Sequence, residues 1–526
     1  MVTITQKQMV PDRRSVALLL LSAMLLFTLA RPAAPVLAAD AATIDLSPTA
    51  GPPTTQLSVK GKEFAAGELV DLLFDDTQLG TAQVNADGNF AAAVSVLASA
   101  LPGNHVLMAS GRTSHLAARA LFTVRTDWAQ FGFDLHRSGR NPFENALGVG
   151  NASTLRLAWS TSIPVDPDAE AMIIHGTPIY FGGRVYAGGA DGLYGLDPAS
   201  GAIIINYRTG GPIQGTPAAA KGLKVLGQQT DALFVGSMDG SIYGFDSTDD
   251  RPNPLWKANV GSGIQTSLLL IGDQVAPGPC LAPGPCKIIF GAADGLYAYD
   301  TDGNRLWAIA LDAPIAGAPS ASSDPKFPWI FVGTHSNVLY ALNTADGSVA
   351  WAVKLDGVPG TAAVGNPNII GDPHIYVGTS AGTLYSLNPA DGSVRWQFAT
   401  GGAIEGGPAL GDVNGDGVAE VVVGSHDGDI YAFDQTDDKP LPLWVARLGV
   451  AISATPALAN GVLYLVAEGG DISRGSLFAL NAATGAVLSQ LGLPSAVHAA
   501  PIVADGKVFM AADDGSISMT VPPEPR

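Results

Sequence analysis

The chain has few cysteines and few charged residues. Cys280 and Cys286 are its two cysteines, and Lys, Arg, Asp and Glu make up 14% of its 526 residues. Because the two cysteines are six positions apart, the chain can form neither a Cys-x-x-Cys-His haem site nor a disulfide between adjacent cysteines. Asp and Glu outnumber Lys and Arg by 47 to 28, which gives a net charge of −19. A phosphate backbone would repel such a chain, so nucleic acid is not expected as a partner.

The two cysteines lie in a small duplication, residues 276–286 (APGPCLAPGPC). Such a pair in the loop of an exported chain favours a disulfide that ties the loop together. Free thiols and metal binding are the alternatives.

Residues 1–38 have the pattern of a secretory signal peptide. Lys7, Arg13 and Arg14 form a positive end, residues 16–30 an apolar core, and residues 36–38 (VLA) a cleavage site. An uncleaved anchor is the alternative, but fifteen apolar residues are short for a span of about 20. We therefore expect export to the periplasm or outside the cell, with no stable membrane span after cleavage. Arg13-Arg14 leaves general secretory and twin-arginine export open.

The rest of the chain is typical of an all-β protein, because Gly (63) and Pro (37) are frequent. Residues 41–125 predict about seven short strands, with a hairpin turn at residues 85–89 (NADGN). The opening string SPTAGPPTTQ and the closing FTV resemble bacterial immunoglobulin-like domains. That resemblance implies a small β-sandwich acting as a spacer or adhesion module.

A strand–turn–strand–turn–Trp unit repeats through the remainder. Residues 330–351 (IFVGTHSNVLYALNTADGSVAW) and 375–396 (IYVGTSAGTLYSLNPADGSVRW) are nearly the same string. Trp307 and Trp351 lie 44 positions apart, and Trp351 and Trp396 lie 45 apart. This period, built from short strands, predicts the four-stranded blades of a β-propeller.

Residues 128–141 (WAQFGFDLHRSGRN) resemble the lead-in of bacterial PQQ-repeat propellers, the family that includes quinoprotein dehydrogenases. The family signature Ala-x-Asp-x-x-Thr-Gly-x-x-x-Trp is matched by residues 341–351, with Asn343 and Asp346 in place of its Asp and Thr, and by residues 386–396. Residues 298–307 and 479–490 match it less fully. We interpret Trp256, Trp307, Trp351, Trp396 and Trp444 as wedges between blades.

Eight segments resemble an innermost strand, at residues 174–179, 213–218, 264–269, 315–320, 358–364, 404–410, 452–458 and 497–503. The last repeat lacks a fourth strand, and residues 155–160 (LRLAWS) carry Trp159 where an outer-strand Trp belongs. We therefore expect residues 155–160 to pair with residues 516–519 and close the ring. The predicted order is a lead-in at 126–154 and an eight-bladed propeller at 155–526.

Aligning the eight segments places one residue of each near its start: His175, Gln214, Gln265, Ala316, Pro359, Glu405, Ser453 and His498. The polar members His175, Gln214, Gln265, Glu405 and His498 predict a polar channel mouth. One interpretation is a small-molecule or metal site; the other is that these side chains bind each other and channel water.

The resemblance to quinoprotein dehydrogenases implies an enzyme alternative, a PQQ-dependent alcohol or sugar dehydrogenase. The quinoprotein dehydrogenases of that family carry a vicinal disulfide over the quinone, a set of carboxylates that holds calcium, and a catalytic Asp. This chain lacks the disulfide, and its predicted mouth ring contains no Lys or Arg to meet the carboxylates of the quinone. Arg208, Lys257, Lys354 and Arg447 keep the option open, so PQQ is possible but not favoured.

Residues 411–420 (GDVNGDGVAE) resemble the calcium loops of integrin-type propeller repeats. Asp412, Asn414, Asp416 and Glu420, with the Val418 carbonyl, offer oxygen atoms at the alternating positions that wrap a hard cation. The predicted ion is Ca²⁺ in a structural role. The sequence as a whole predicts a secreted, non-catalytic binding or scaffold protein with a protein, small-molecule or glycan ligand at a propeller face.

Overall fold

A computed structural model describes residues 42–163, 176–251, 253–272, 280, 285–365, 374–434, 440–468 and 474–523. The signal peptide predicted at residues 1–38 and the site residue His175 lie outside these ranges. Strands dominate, and the described helix is one 3₁₀ turn, Ala152–Thr154. Within the described residues, no helix is long and apolar enough to cross a membrane.

Residues 43–124 form a two-sheet β-sandwich. One sheet has the strand order β1-β3-β6 and the other β2-β8-β7-β4-β5. Alternate residues of these strands face inward, as Leu57 and Val59 do, and pack into one apolar core. The strands are β1 Thr43–Ser47, β2 Ala50–Gly51, β3 Gln56–Lys62, β4 Leu69–Phe74, β5 Thr77–Gln83, β6 Phe90–Ser95, β7 Gly103–Gly111 and β8 Ala117–Val124.

Residues 156–521 form, in the described part of the chain, eight successive four-stranded antiparallel sheets. The short strand β9, Arg140–Asn141, adds a parallel fifth strand to one of them. The strands of the first half are β10 Arg156–Ser162, β11 Ile179–Phe181, β12 Arg184–Gly188, β13 Gly192–Leu196, β14 Ile203–Arg208, β15 Ala218–Val225, β16 Gln228–Ser237, β17 Ser241–Asp246, β18 Pro254–Asn259, β19 Leu269–Gly272, β20 Cys286–Ala292, β21 Gly295–Asp300 and β22 Arg305–Ile309.

The second half continues the same order with β23 Ser320–Ala321, β24 Trp329–Thr334, β25 Val338–Asn343, β26 Val349–Lys354, β27 Ala363–Val364, β28 Ile375–Gly378, β29 Thr383–Leu387, β30 Val394–Ala399, β31 Ala409–Gly411, β32 Glu420–Gly424, β33 Asp429–Phe433, β34 Pro442–Arg447, β35 Ala457–Ala459, β36 Val462–Glu468, β37 Gly475–Asn481, β38 Val487–Leu493, β39 Ile502–Ala504, β40 Lys507–Ala511 and β41 Ser516–Val521. We number the sheets 1 to 8 by their innermost strands β11, β15, β19, β23, β27, β31, β35 and β39.

Sheet 8 takes its outermost strand from the start of the repeat region. Strand β10 pairs with β41, with Trp159 opposite Met519 and Ser160 opposite Ser518. The predicted pairing of residues 155–160 with 516–519 is confirmed. One exposed edge from each end of the repeat region is thereby removed.

The innermost strands begin later than predicted. Residues 213–217 and 404–408, for example, precede β15 and β31. Their main chain bonds to the preceding sheet instead, since Ile213 N donates to Gly189 O and Ile404 N donates to Thr379 O, both at 3.0 Å. For these two segments the predicted strand starts were wrong, because the chain there links two sheets. In sheets 3, 4 and 5 the predicted segments do bridge to their own sheet near their starts, at Ile264, Ile315 and Pro359.

Five outer-strand Trp residues pack against a turn glycine of the next sheet, whereas Trp396 packs against Tyr376 and Phe433. Trp351 Nε1 donates to Pro389 O at 2.9 Å, and a Cβ on Gly392 would lie 2.7 Å from the Trp351 ring. Trp159, Trp256, Trp307 and Trp444 repeat this contact with Gly201, Gly303, Gly347 and Gly485. The Trp and Gly of the sequence signature thus form contacts between sheets.

This contact predicts a difference between two glycines that both have positive φ. Gly392 has φ +73° beneath Trp351, whereas Gly227 has φ +83° and no atom within 4 Å of a Cβ. We expect Gly227→Ala to cost about 1 kcal/mol for the left-handed backbone, and Gly392→Ala about 3 kcal/mol because the ring must also move. Urea unfolding of both variants measures the difference, and equal losses would contradict the packing role.

Candidate functional site: a blind channel mouth

Residues 126–141, the floor segment, run across one end of the space between the eight sheets. The segment contacts the innermost strand of every sheet, at Tyr180, Ala219, Leu270, Ala321, Val364, Leu410, Leu458 and Val503. Most of these contacts are hydrogen bonds from a strand N–H to a floor carbonyl or side chain, such as Val364 N to His136 O at 2.9 Å. Each contacted residue lies five positions after the residue predicted for the channel mouth.

Arg137 anchors the floor segment. Its side chain is 1% exposed, and it donates from Nε to Pro319 O at 2.7 Å and from Nη2 to Leu268 O at 3.0 Å. Nη1 donates to Phe131 O within the segment. Burial lowers the pKa of Arg137 to about 9, against the opposing effect of Asp134, so the side chain remains charged at neutral pH.

A cavity of about 670 Å³ lies above this floor, and its lining comes mainly from the segments that lead into the innermost strands of the eight sheets. Phe131 of the floor segment contributes to its lining. Five residues of chain span at most about 17 Å, so the cavity is a shallow cup with one end closed. We call it the cup.

The structure brings four of the five predicted mouth residues together in the cup: Gln214, Gln265, Glu405 and His498. The fifth, His175, lies outside the described residues. Ala316 and Ser453 of the same alignment also line the cup, with Thr177, Thr266 and Thr361. Whether the cup binds a ligand stays a prediction, but these side chains share one cavity.

The hydroxyl groups of the wall also join neighbouring sheets. Thr361 Oγ1 accepts Ala318 N at 2.9 Å, and Thr177 Oγ1 accepts Ala500 N at 3.1 Å. An oxygen that accepts an amide hydrogen still has its own O–H to donate. These wall hydroxyl groups can therefore still donate to a ligand in the cavity.

Acidic groups and imidazoles gather at the part of the mouth formed by sheets 6 to 8. His498 Nδ1 lies 2.8 Å from Asp513 Oδ2, and its Nε2 lies 3.3 Å from Glu468 Oε1. The Asp513 carboxylate raises the pKa of His498, burial opposes it, and Glu468 and Glu405 add to the rise. On sheet 6, His426 Nε2 lies 3.4 Å from Glu405 Oε2.

The described lining of the cup offers few charged groups to a quinone such as pyrroloquinoline quinone. Glu405 is the one carboxylate among its described lining residues, which include no Lys or Arg to meet the carboxylates of the cofactor. Arg208, Lys257 and Arg447 pair with Asp191, Asp239 and Asp429 on their own sheets and, like Lys354, do not line the cup. The predicted option that these four cations reach the quinone is not supported by this lining.

The predicted calcium loop connects β31 to β32, on the floor side of sheet 6. Asp412 accepts Gly415 N at 2.6 Å and Gly417 N at 3.0 Å, and Asp416 accepts Val418 N at 2.8 Å. Asn414 Nδ2 donates to Asp416 at 3.0 Å. Among the described residues, no group of three His, Cys, Asp or Glu side chains lies close enough together to hold a metal ion.

Glu420 at the end of this loop is fully buried. Its Oε2 accepts Val413 N at 2.7 Å, while its Oε1 is buried without a hydrogen-bond partner among the described residues. Burial, with repulsion from Asp416 and Asp412, raises the pKa of Glu420 to about 7, although the main-chain N–H groups of Val413 and Asn414 oppose this. An unpartnered carboxylate oxygen beside two further carboxylates is a suitable position for a cation.

Cys280 and Cys286 are joined by a disulfide, with their Cα atoms 5.6 Å apart. Cys286 is the first residue of β20, so the bond ties the preceding loop to sheet 3. Cys280 borders a groove beside the floor segment. The disulfide therefore lies on the floor side of the molecule, away from the cup.

Sequence reasoning missed His426, Glu468, Asp513 and Phe131 as neighbours of the cup. Asp513 and Glu468 share a repeated position with His335 and His426, at or just after the end of the second strand of a sheet. The main-chain N–H at this position donates to the carbonyl two residues before the mouth residue, as Asp513 N does to Ala496 O at 2.9 Å. Aligning the second strands as well as the innermost ones could therefore have found these residues. Phe131 carries no repeat signal, because the floor segment occurs once.

Solved structures share the fold of this chain at low identity. A quinohemoprotein alcohol dehydrogenase, ADHIIG from Pseudomonas putida HK5, is 14% identical with a TM-score of 0.54, over 76% of this chain and 82% of that one. A europium-containing methanol dehydrogenase is 17% identical with a TM-score of 0.52, over 74% and 88%. Saccharomyces cerevisiae Sqt1 is 14% identical with a TM-score of 0.53, over 69% and 100%. These likenesses show the fold alone, a quinoprotein-like β-propeller.

No curated protein matches the chain significantly. A family model described as outer membrane protein assembly factor BamB, built on PQQ-like repeats, matches residues 149–276, 239–473 and 426–520. These matches cover more than half of the chain and the whole set of repeats found in the sequence. The chain therefore belongs to the PQQ-like repeat family of the outer membrane protein assembly factor BamB.

Proposed function

We propose that this protein is an exported, non-catalytic binding and scaffold protein. In this proposal residues 1–38 are a cleaved secretory signal, and residues 41–125 are an immunoglobulin-like spacer or adhesion module. Residues 126–154 are the lead-in, and residues 155–526 are an eight-bladed propeller whose blades are the eight sheets. Its ligand, a protein, small molecule or glycan, binds at a propeller face.

The observation that carries the proposal is the chemistry of the cup. The cavity has the size of a small-molecule site, its floor is closed by the chain itself, and its described lining lacks the cationic side chains that a quinone with several carboxylates needs. Two cysteines, already joined to each other, leave no vicinal disulfide to cover a quinone. Binding without redox chemistry is what these residues support.

The family description supports the scaffold part of the proposal. It names an outer membrane protein assembly factor, and we propose that this chain acts in the cell envelope in a similar supporting role. The net charge of −19 keeps it from nucleic acid and suits a soluble envelope protein. A structural calcium ion in the loop after β31 completes the proposal.

Reconstitution tests the absence of catalysis. Purified protein is incubated with PQQ and Ca²⁺, dialysed, and examined for the absorbance of bound quinone and for dye reduction with alcohols and sugars. We expect neither signal, with a known quinoprotein dehydrogenase treated in parallel as the positive control. Retained quinone together with substrate-dependent dye reduction would overturn the proposal in favour of a PQQ-dependent dehydrogenase.

A further inference from the structure

We propose that the cup binds a hydroxyl-rich organic cation, of which an amino sugar is the simplest class. This inference rests on the proposed function, because it names the ligand class of the same cavity. It is carried by the uneven distribution of polar groups around the mouth.

The part of the mouth formed by sheets 6 to 8 is acidic. Glu405, Glu468 and Asp513 lie there with His426 and His498, so three carboxylates outnumber two imidazoles even when both imidazoles are protonated. Within the described residues, no Lys or Arg lines the cup. A positively charged group entering the mouth is therefore attracted to this side.

An unpartnered hydroxyl lies between the acidic groups. Ser453, on sheet 7, lines the cup between Glu405 of sheet 6 and His498 of sheet 8. Its side chain is 9% exposed, and its Oγ has no hydrogen-bond partner among the described residues. A buried hydroxyl oxygen without a donor favours a ligand that supplies one, and an ammonium group has three N–H donors.

The opposite wall carries amides and hydroxyl groups and, from sheet 4, the imidazole of His335, but no carboxylate among its described residues. Gln214 and Gln265 of sheets 2 and 3 face the cup, and no side-chain hydrogen bond occupies either amide in the described structure. With Thr177, Thr266 and Thr361 they present donors and acceptors suited to hydroxyl groups. A ligand with one cationic end and several hydroxyls matches both walls.

The floor limits where the charge of the ligand can lie. Arg137 lies beneath Phe131, with its guanidinium carbon 5.7 Å from the ring centre. The buried cation makes the bottom of the cup unfavourable for a second positive charge. The ammonium group therefore belongs at the mouth, and the neutral body extends toward Phe131.

The size of the cup excludes a bare ion as the natural occupant. A cavity of about 670 Å³ falls in the range of organic ligands, roughly 300–1,000 Å³. Phe131 on the floor offers an apolar face on which a sugar ring can stack. These observations favour a disaccharide-sized amine over a metal cation.

The test uses three disaccharides that differ in charge. Isothermal titration calorimetry compares the glucosamine disaccharide, its N,N′-diacetyl form and cellobionate, which are cationic, neutral and anionic. We expect the amine to bind about tenfold more tightly than the diacetyl form, and cellobionate to bind most weakly. Tighter or equal binding of the neutral or anionic sugar would overturn the cation class while leaving the cup as a ligand site.

Two variants locate the effect. Glu405→Gln removes a mouth carboxylate that is 54% exposed, and we expect it to abolish the tenfold preference for the amine. Asp429→Asn removes one charge from the same sheet, outside the cup lining, and should keep the preference. An unchanged preference in Glu405→Gln would overturn the inference, and absence of binding by all three sugars would overturn both the inference and the small-molecule site.

Discussion

Replacing Arg137 with methionine is expected to lower the free energy of unfolding by about 4 kcal/mol. Methionine keeps the apolar stem but donates no hydrogen bond, so the carbonyls of Phe131, Leu268 and Pro319 lose their partner. A buried carbonyl without a partner costs about 1–3 kcal/mol. Removal of the buried charge recovers part of this cost.

Guanidinium chloride unfolding measures the loss, with Arg251→Met as the control. Arg251 is 85% exposed and pairs with Asp249 two residues away, so its replacement should change stability by less than about 0.5 kcal/mol. Limited proteolysis gives a second measurement, because a loosened floor segment should be cut between the sandwich and the repeats. Equal behaviour of the two variants would show that the floor segment does not hold the sheets together.

The repeat architecture could be predicted from the sequence because each sheet carries the same local signals. The Trp spacing, the glycine turns and the missing last strand led to the pairing of β10 with β41. The Trp351–Gly392 contact explains why both residues recur at fixed spacing. Contacts that repeat leave a period in the sequence, and a period can be detected in one chain.

The floor segment could not be assigned a role in the same way. Its partners, from Tyr180 to Val503, lie in eight places separated by tens of residues. The segment itself has no period, and its buried Arg137 is bound by main-chain carbonyls, which any sequence provides. The acidic neighbours of the cup were missed for a different reason. The innermost strands alone predicted the mouth, whereas Glu468 and Asp513 lie at or just after the ends of β36 and β40, the second strands of sheets 7 and 8.

The predicted start of β15 was wrong in a segment where proline and small residues alternate. In residues 213–217 (IQGTP) the apolar residue at the start suggested a strand, but its amide bonds to the preceding sheet. Proline at position 217 cannot donate to a ladder. Gln214 nevertheless lines the cup, as its position in the alignment predicted. The predicted mouth position was therefore correct for this residue although the strand boundary was not.

Calcium is expected to raise the melting temperature of the protein by about 3 °C at a hundredfold excess over its Kd, and to leave Asp416→Ala unmoved. The physical reason is Glu420, whose Oε1 is buried without a partner in the described structure beside Asp412 and Asp416. A cation there would satisfy that oxygen and relieve the repulsion among three carboxylates. Gly415 and Gly417, with φ of +83° and +87° and open space around them, allow the loop to close on it.

Differential scanning calorimetry with calcium or with EDTA provides the test, and Asp391→Ala is the matched control. Asp391 accepts Ser393 N at 3.0 Å in an exposed turn, so its loss removes a similar turn contact without a cation site. Glu420→Gln should raise the melting temperature of the calcium-free protein, because it removes a buried charge. The same substitution should abolish the response to calcium. Equal calcium responses in wild type, Asp416→Ala and Glu420→Gln would show that residues 411–420 are an acidic turn held by its own main-chain hydrogen bonds.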